Sequence, residues 1–146
     1  MTLAMSRIFK CLVCAGLTVA SLGITPVARA AESPAAKDAA TIVHHVDPQE
    51  AQKLIAKKQV IVIDIRTPSE FKTGRIAGAR NIDFQAPDFE KQIDNLDKSK
   101  SYLVHCASGG RSTHSLLLFN KHQFQSVYHL DGGIKAWQKA GLPVEK

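Results

Sequence analysis

The stretch VIVID, residues 60–64, sets four β-branched apolar residues in an unbroken row and ends on an aspartate. Such side chains lose rotamer freedom in a helix and fit a pleated strand. A row without polar alternation predicts a strand covered on both faces, as in parallel sheets. Tyr102-Leu103-Val104 and Val127-Tyr128-His129-Leu130 are similar though less pure, and Thr41-Ile42-Val43 begins another short strand. Helices are predicted in the intervals. Asp47 is placed to cap the first, with Pro48 in its first turn and Glu50 completing a capping box. Ala51, Leu54 and Ile55 then share one face, and Lys57 and Lys58 suit its negative end. Further helices are expected over 68–72, 88–96, 111–122 and 134–140. Buried strands alternating with helices define an α/β domain with a mostly parallel sheet. In such sheets functional groups gather beyond the carboxyl ends of the strands. Asp64, Cys106 and Asp131 all stand at that end.

The chain has 146 residues, a single-domain length, and a formal net charge of +6. The start of the chain accounts for much of that charge. Arg7 and Lys10 precede an apolar stretch over 11–24, and Ala28-Arg29-Ala30 offers small residues at a cleavage site. Residues 1–30 therefore read as a secretory signal, 31–40 as a disordered leader and 41–146 as the domain. A stretch of that size is short of the about 20 residues that span a bilayer, so contact with a membrane is expected only if the signal is kept as an anchor. Cleavage would remove three basic residues, leaving 16 basic against 13 acidic and a net charge of +3. No block of like charge or basic-aromatic interleaving points to nucleic acid. Cys11 and Cys14 would also be lost, leaving Cys106 as the sole thiol in a compartment that oxidises thiols, expected to be the periplasm.

That cysteine sits in HCASGGRS, residues 105–112. It closes a strand, and Arg111, with four residues between, opens a helix. Gly109 and Gly110 permit a sharp turn whose backbone N–H groups point inward, an anion nest backed by a helix N-terminus. The same field favours a thiolate. Arg111 adds positive charge or braces the loop, and Ser112 caps the helix or donates a hydrogen bond to the sulfur. These features describe an activated nucleophile rather than a packing cysteine.

The loop resembles the C-x-x-G-x-R-S loop of single-domain rhodanese-like sulfurtransferases. Asp64, Arg66, Glu70 and Phe71 are similar to that family's D-x-R-x-x-x-E-F segment, and residues 74–82, GRIAGARNI, to its G-H-I-x-G-A-x-N-I stretch. Residues 130–137, LDGGIKAW, match its L-x-G-G-x-x-x-W pattern, and GLPV at 141–144 the usual ending. Motifs in this order are far more specific than any one of them. The resemblance implies a doubly wound α/β domain with a five-stranded, mainly parallel sheet flanked by helices. It also implies that Cys106 takes a sulfane sulfur from a small anionic donor (thiosulfate, a polysulfide or glutathione persulfide) and passes it to a thiol or cyanide-like acceptor, with a protein thiol among the candidates. The nest over Ala107, Ser108, Gly109, Gly110, Arg111 and Ser112 would hold the persulfide. No metal or organic cofactor is implied. Asp64 and Arg66 would brace the loop, and Gly132 and Gly133 would let backbone approach it closely. Arg80 would either recruit the anion or form a surface salt bridge. Arg75 replaces the family's histidine, Gln123 stands where a glycine commonly ends the helix, and the neutral Ala107 and Ser108 leave the donor open.

Other chemistries remain in view. Cysteine phosphatases on the same fold carry H-C-x5-R, and arsenate reduction uses related chemistry. Here four residues separate Cys106 from Arg111, a smaller ring suited to one sulfur more than to a phosphate. Asp64 and Asp131 are candidates for the general acid a phosphatase needs. A non-catalytic binding module is the third reading. Arg66 and Glu70 stand at helical spacing and are expected to pair. Trp137 is expected in the core or a pocket wall, and His105 should point away from Cys106. His44, His45, His114, His122 and His129 show no metal-ligand spacing and are expected as scattered, satisfied side chains.

Overall fold

A computed structural model describes residues 40–146. Five strands, β1 (Ile42–Val46), β2 (Ile61–Asp64), β3 (Arg80–Asn81), β4 (Ser101–His105) and β5 (Ser126–Leu130), form one sheet in the order β1-β5-β4-β2-β3. Every pairing within it is parallel, with Asp64 opposite His105 and Val104 opposite His129. Helices α1 (Pro48–Ala56), α2 (Pro68–Thr73), α3 (Phe89–Asp94), α4 (Gly110–Lys121) and α5 (Gly133–Lys139) fill the connections. The five-stranded α/β sheet implied by the resemblance is present, and it is wholly parallel. The expected signal and leader, apart from Ala40, lie outside the described residues. Among the described residues no helix is long and apolar enough to cross a membrane.

Strand alternation splits the core. Ile63, Tyr102, Val104 and Val127 face one side and pack with Phe89 and Ile93 of α3 and Phe119 of α4. Val62, Leu103 and Leu130 face the other, with Ala51 of α1 and Trp137 of α5. Two apolar faces on one sheet are the reason its strands read as continuous apolar runs. Trp137 is a core residue, its indole N–H donating to the Pro143 carbonyl at 2.9 Å.

From β2 the chain steps outward to β3, returns across β2 to β4, and continues the other way to β5, which pairs with the first strand, β1, at the far edge. Neighbouring connections thus diverge at the carboxyl ends of β4 and β2, leaving the crevice where such folds bind ligands. Cys106 follows β4 at that point.

Local chemistry sets the helix starts. Asp47 accepts from the Glu50 N–H at 2.8 Å, half of the expected capping box. The complete box lies at α2, where Thr67 accepts from the Glu70 N–H and the Glu70 carboxylate accepts from the Thr67 N–H.

Candidate active site

The turn from β4 to α4 winds around one sulfur. Gly109, at φ 103°, turns its N–H back to donate to Cys106 Sγ at 3.2 Å. Ser112, in the first turn of α4, places Oγ 3.5 Å from the same sulfur. Cys106 is 1% exposed. Burial pushes its thiol up, but the Ser112 hydroxyl and the N–H groups of Ser112, Ser108 and Gly109 outweigh that and hold it below the ordinary value. The physical cause is that several fixed donors converge on the charged form. Ala107 is half-buried, and Ser108 and Gly110 lie at the exposed lip. A β-carbon on Gly110 would meet open space, so the tight turn depends on Gly109.

The floor of the loop is the β5–α5 turn. Ile134 N–H donates to the Cys106 carbonyl at 2.9 Å, and Lys135 N–H to that of Ala107 at 3.1 Å. Gly133 makes this approach possible: a β-carbon there would fall 2.5 Å from the Cys106 carbonyl oxygen. Gly132, at φ 73°, has its own constraint, since a β-carbon would come within 2.6 Å of the Ala136 methyl.

Arg111 braces the loop from outside. Its guanidinium makes two parallel hydrogen bonds to the Glu70 carboxylate, at 2.7 and 2.9 Å. That fork holds the Glu70 carboxyl down to about 2. The guanidinium is still close enough for the Cys106 sulfur to help stabilise its charge. Arg66 does not pair with the Glu70 carboxylate, contrary to the helical-spacing expectation. It grips Asp64 through Nε and Nη2 at 2.5–3.0 Å and donates to the Glu70 and Gly74 carbonyls. The reason is reach: Asp64 lies beside it on the buried strand end, whereas Glu70 turns toward α4. The braces therefore run from Asp64 through Arg66 to α2, and from Glu70 to Arg111 and the loop.

Arg80 is exposed on edge strand β3 and has no ion pair among the described residues. Its charge is felt at the Tyr102 hydroxyl, near the start of β4, rather than at the loop. Arg75 pairs with Glu145 at 3.1 Å and lies over the Phe71 ring, so it is tied to the chain's last residues. His105 points away from the sulfur into the opposite face. Burial holds its imidazole below the ordinary value, Nδ1 lies 3.2 Å from the Cys106 carbonyl, and Nε2 has no hydrogen-bond partner among the described residues.

The histidines are not all scattered. His129 is 3% exposed and faces the loop. Its Nε2 lies 2.9 Å from Ser112 Oγ, and its Nδ1 lies 2.9 Å from Asp131 Oδ1. His45, on neighbouring β1, directs its own Nδ1 at the same carboxylate oxygen, also at 2.9 Å. The His45 and His129 hydrogen bonds hold the Asp131 carboxyl below its ordinary value, His45 contributing most. The signal for this group was the spacing of His129 and Asp131, which puts a base and a carboxylate on one side of a strand.

A cysteine whose thiol is held below its ordinary value in an amide-lined loop, at the divergence point of a parallel sheet, defines an α/β domain with a candidate nucleophile at Cys106. The chain belongs to the rhodanese-like domain family, whose pattern matches residues 47–140. It is 36% identical over 101 residues to the thiosulfate sulfurtransferase GlpE of Pseudomonas putida, covering 68% of this chain and 88% of that protein. The tRNA uridine(34) hydroxylase of Acinetobacter baylyi is 36% identical over 95 residues, which are 62% of this chain and 30% of that protein. Rhodanese-like domain-containing protein 14, chloroplastic, of Arabidopsis thaliana is 27% identical, and the chain spans 65% of its length. A crystal structure of a rhodanese-related protein from Thermoplasma volcanium superposes with a TM-score of 0.63 at 28% identity, over 70% of this chain and 97% of that one.

Proposed function

We propose that the protein is a sulfurtransferase that carries a sulfane sulfur on Cys106. The Cys106 thiolate attacks the outer sulfur of a donor such as thiosulfate. A new S–S bond forms as the donor's own S–S bond breaks, and sulfite leaves with its electron pair. The acceptor thiolate or cyanide then attacks the terminal sulfur and regenerates the Cys106 thiolate. Each step exchanges one bond to sulfur for another, so no external oxidant or reductant is needed. The observation that carries this reading is the ring of donors that holds the Cys106 thiol below its ordinary value. The same N–H groups would cradle the terminal sulfur of a persulfide.

Two features weigh against phosphate chemistry. The Arg111 guanidinium is committed to Glu70 instead of standing free as a fork for phosphate oxygens. Asp131, with its carboxyl held low, is poorly suited to donate a proton to a leaving group. The neutral Ala107 and Ser108 favour no particular donor. Residues 1–30 support export to the periplasm, and N-terminal sequencing of the recovered protein should begin at Ala31. Recovery of the intact chain from the cytosol would remove that assignment.

Intact-mass analysis after incubation with thiosulfate or polysulfide tests the chemistry. One added sulfur is expected, removable by cyanide or a thiol and missing in Cys106→Ser. Hydrolysis of an aryl phosphate without sulfur loading would favour the phosphatase. If Cys106 neither loads nor reacts with alkylating agents, the domain is a binding module.

A further inference from the structure

The buried Cys106 thiol has a proton to lose before it can attack. The Ser112 hydroxyl, beside it, has one proton and three neighbours able to accept it: Cys106 Sγ at 3.5 Å, His129 Nε2 at 2.9 Å and the Gly109 carbonyl at 2.9 Å. His129 Nδ1 faces an Asp131 carboxyl that is held ionised, so this nitrogen carries a proton and donates it. With Nδ1 protonated, Nε2 is the imidazole's free acceptor. Two hydrogen-bond patterns then satisfy the chain. In one, the thiol donates to Ser112 Oγ and the serine hydroxyl donates to His129 Nε2. In the other, His129 Nε2–H donates to Ser112 Oγ and the hydroxyl donates to the Cys106 thiolate.

We infer that His129 accepts the Cys106 thiol proton through the Ser112 hydroxyl, with Asp131 holding the imidazole in the required tautomer. The two patterns differ by that transfer: the S–H bond breaks as an O–H bond forms at Ser112, and the former serine proton forms the new N–H bond at His129. The products are a thiolate and an imidazolium, with no change in electron count. His129 is 3% exposed, whereas the Asp131 side chain is 55% exposed, so the chain of groups joins a buried thiol to a carboxylate at the surface. His129 acts on the sulfur through Ser112 and is a positioning and proton-accepting residue.

The other groups around His129 fit this role. From β1, the His45 ring stands 5.1 Å away edge-on and shares the Asp131 oxygen. From α4, Thr113 Oγ1 lies 3.4 Å from Nε2 but is directed to the Gly109 carbonyl at 3.0 Å. The Gly109 carbonyl itself is 3.4 Å from Nε2. Arg111, the cation nearest the sulfur in the loop, is paired with Glu70.

This inference rests on Cys106 being the sulfur-accepting nucleophile, but its test reads protons directly. Thiolate absorbance is followed against pH as the difference from Cys106→Ser, and alkylation is followed on the Cys106 peptide by mass spectrometry. His129→Gln should raise the thiolate midpoint and slow alkylation at neutral pH by about tenfold or more. Asp131→Asn should shift both in the same direction. Wild-type and His129→Gln titrations that coincide in folded protein would overturn the proton path. If the variants do not fold, the His129 imidazole is followed by NMR in the wild type and in Cys106→Ser. Coupling requires the imidazolium to persist to higher pH in the wild type, and identical titrations overturn it. Sulfur loading is measured on the same samples. Failure to load with the proton coupling intact would remove the functional proposal and leave the proton path standing.

Discussion

A β-carbon on Gly133 would lie 2.5 Å from the Cys106 carbonyl oxygen and 2.9 Å from the Ala107 carbonyl carbon, both backbone atoms. Neither can retreat without opening the loop that holds the sulfur. Gly141 provides a contrast: its φ is also positive, at 73°, but a β-carbon there would meet nothing. Gly133→Ala should therefore cost about 3 kcal/mol, and Gly141→Ala only the left-handed strain of about 1 kcal/mol. Urea unfolding of the two variants makes the comparison, and equal losses would contradict it. The glycine pair was legible in the sequence as a site of close approach, because both residues precede a helix and follow a strand. His129 was harder to find. Its role comes from the packing of β5 beneath the first turn of α4, 17 residues away in sequence from Ser112. The spacing to Asp131 marks a carboxylate on the same side of the strand, but nothing in the sequence signals that the ring's other nitrogen will meet Ser112.

Three helices end on the same motif with different residues at its left-handed position. After α5, Gly141 N–H donates to the Gln138 carbonyl and Leu142 N–H to that of Trp137. After α1, Lys58 and Gln59 repeat this pattern onto Ile55 and Leu54; after α4, Gln123 and Phe124 repeat it onto Asn120 and Phe119. Lys58 has φ 54° and Gln123 φ 57°, values at which a side chain is strained. The absence of glycine at 123 was visible in the sequence. The structure keeps the usual hydrogen bonds there, accompanied by a Phe119–Phe124 ring contact at 4.9 Å. Packing at α4 thus maintains a turn that local preference disfavours. Lys58 is exposed and lies far from the loop in sequence, so it tests the strain more cleanly. Lys58→Gly relieves the left-handed strain and gives back part of the gain through the freer unfolded chain, for a net stabilisation of about 0.5 kcal/mol. A higher urea midpoint is expected, and a lower one would show that the lysine side chain contributes more than its backbone strain costs.

Across the whole domain, the strands were legible because a sheet buried on both faces leaves no room for polar alternation, as in Val62, Ile63, Leu103 and Val104. Two-residue β3 was not, since Arg80 and Asn81 have no apolar pattern and are placed by pairing with Ile63 and Asp64. The Glu70–Arg111 pair was also hidden, because it joins α2 to α4 across 41 residues. This pair makes the helix after the Cys106 loop answerable to the capping of another helix, and it gives the fold a distinct acid response. The Glu70 carboxyl lies at about 2 in the folded protein, against an ordinary value of 4.5. A carboxyl with a depressed folded value contributes its full stability above the unfolded value and loses it as the pH falls toward the folded one. The contribution should therefore be constant above about pH 4.5 and fade between that point and pH 2. Glu70 and Arg111 side chains are 36% and 24% exposed, so solvent screening limits the pair to about 1 kcal/mol. Glu70→Gln keeps a side chain able to complete the α2 cap while discarding the charge. It should unfold in less urea than the wild type at neutral pH, and the two midpoints should converge as the pH is lowered through that window. A gap that persists unchanged at the acid end would assign the effect of Glu70 to packing or capping, and not to its ion pair with Arg111.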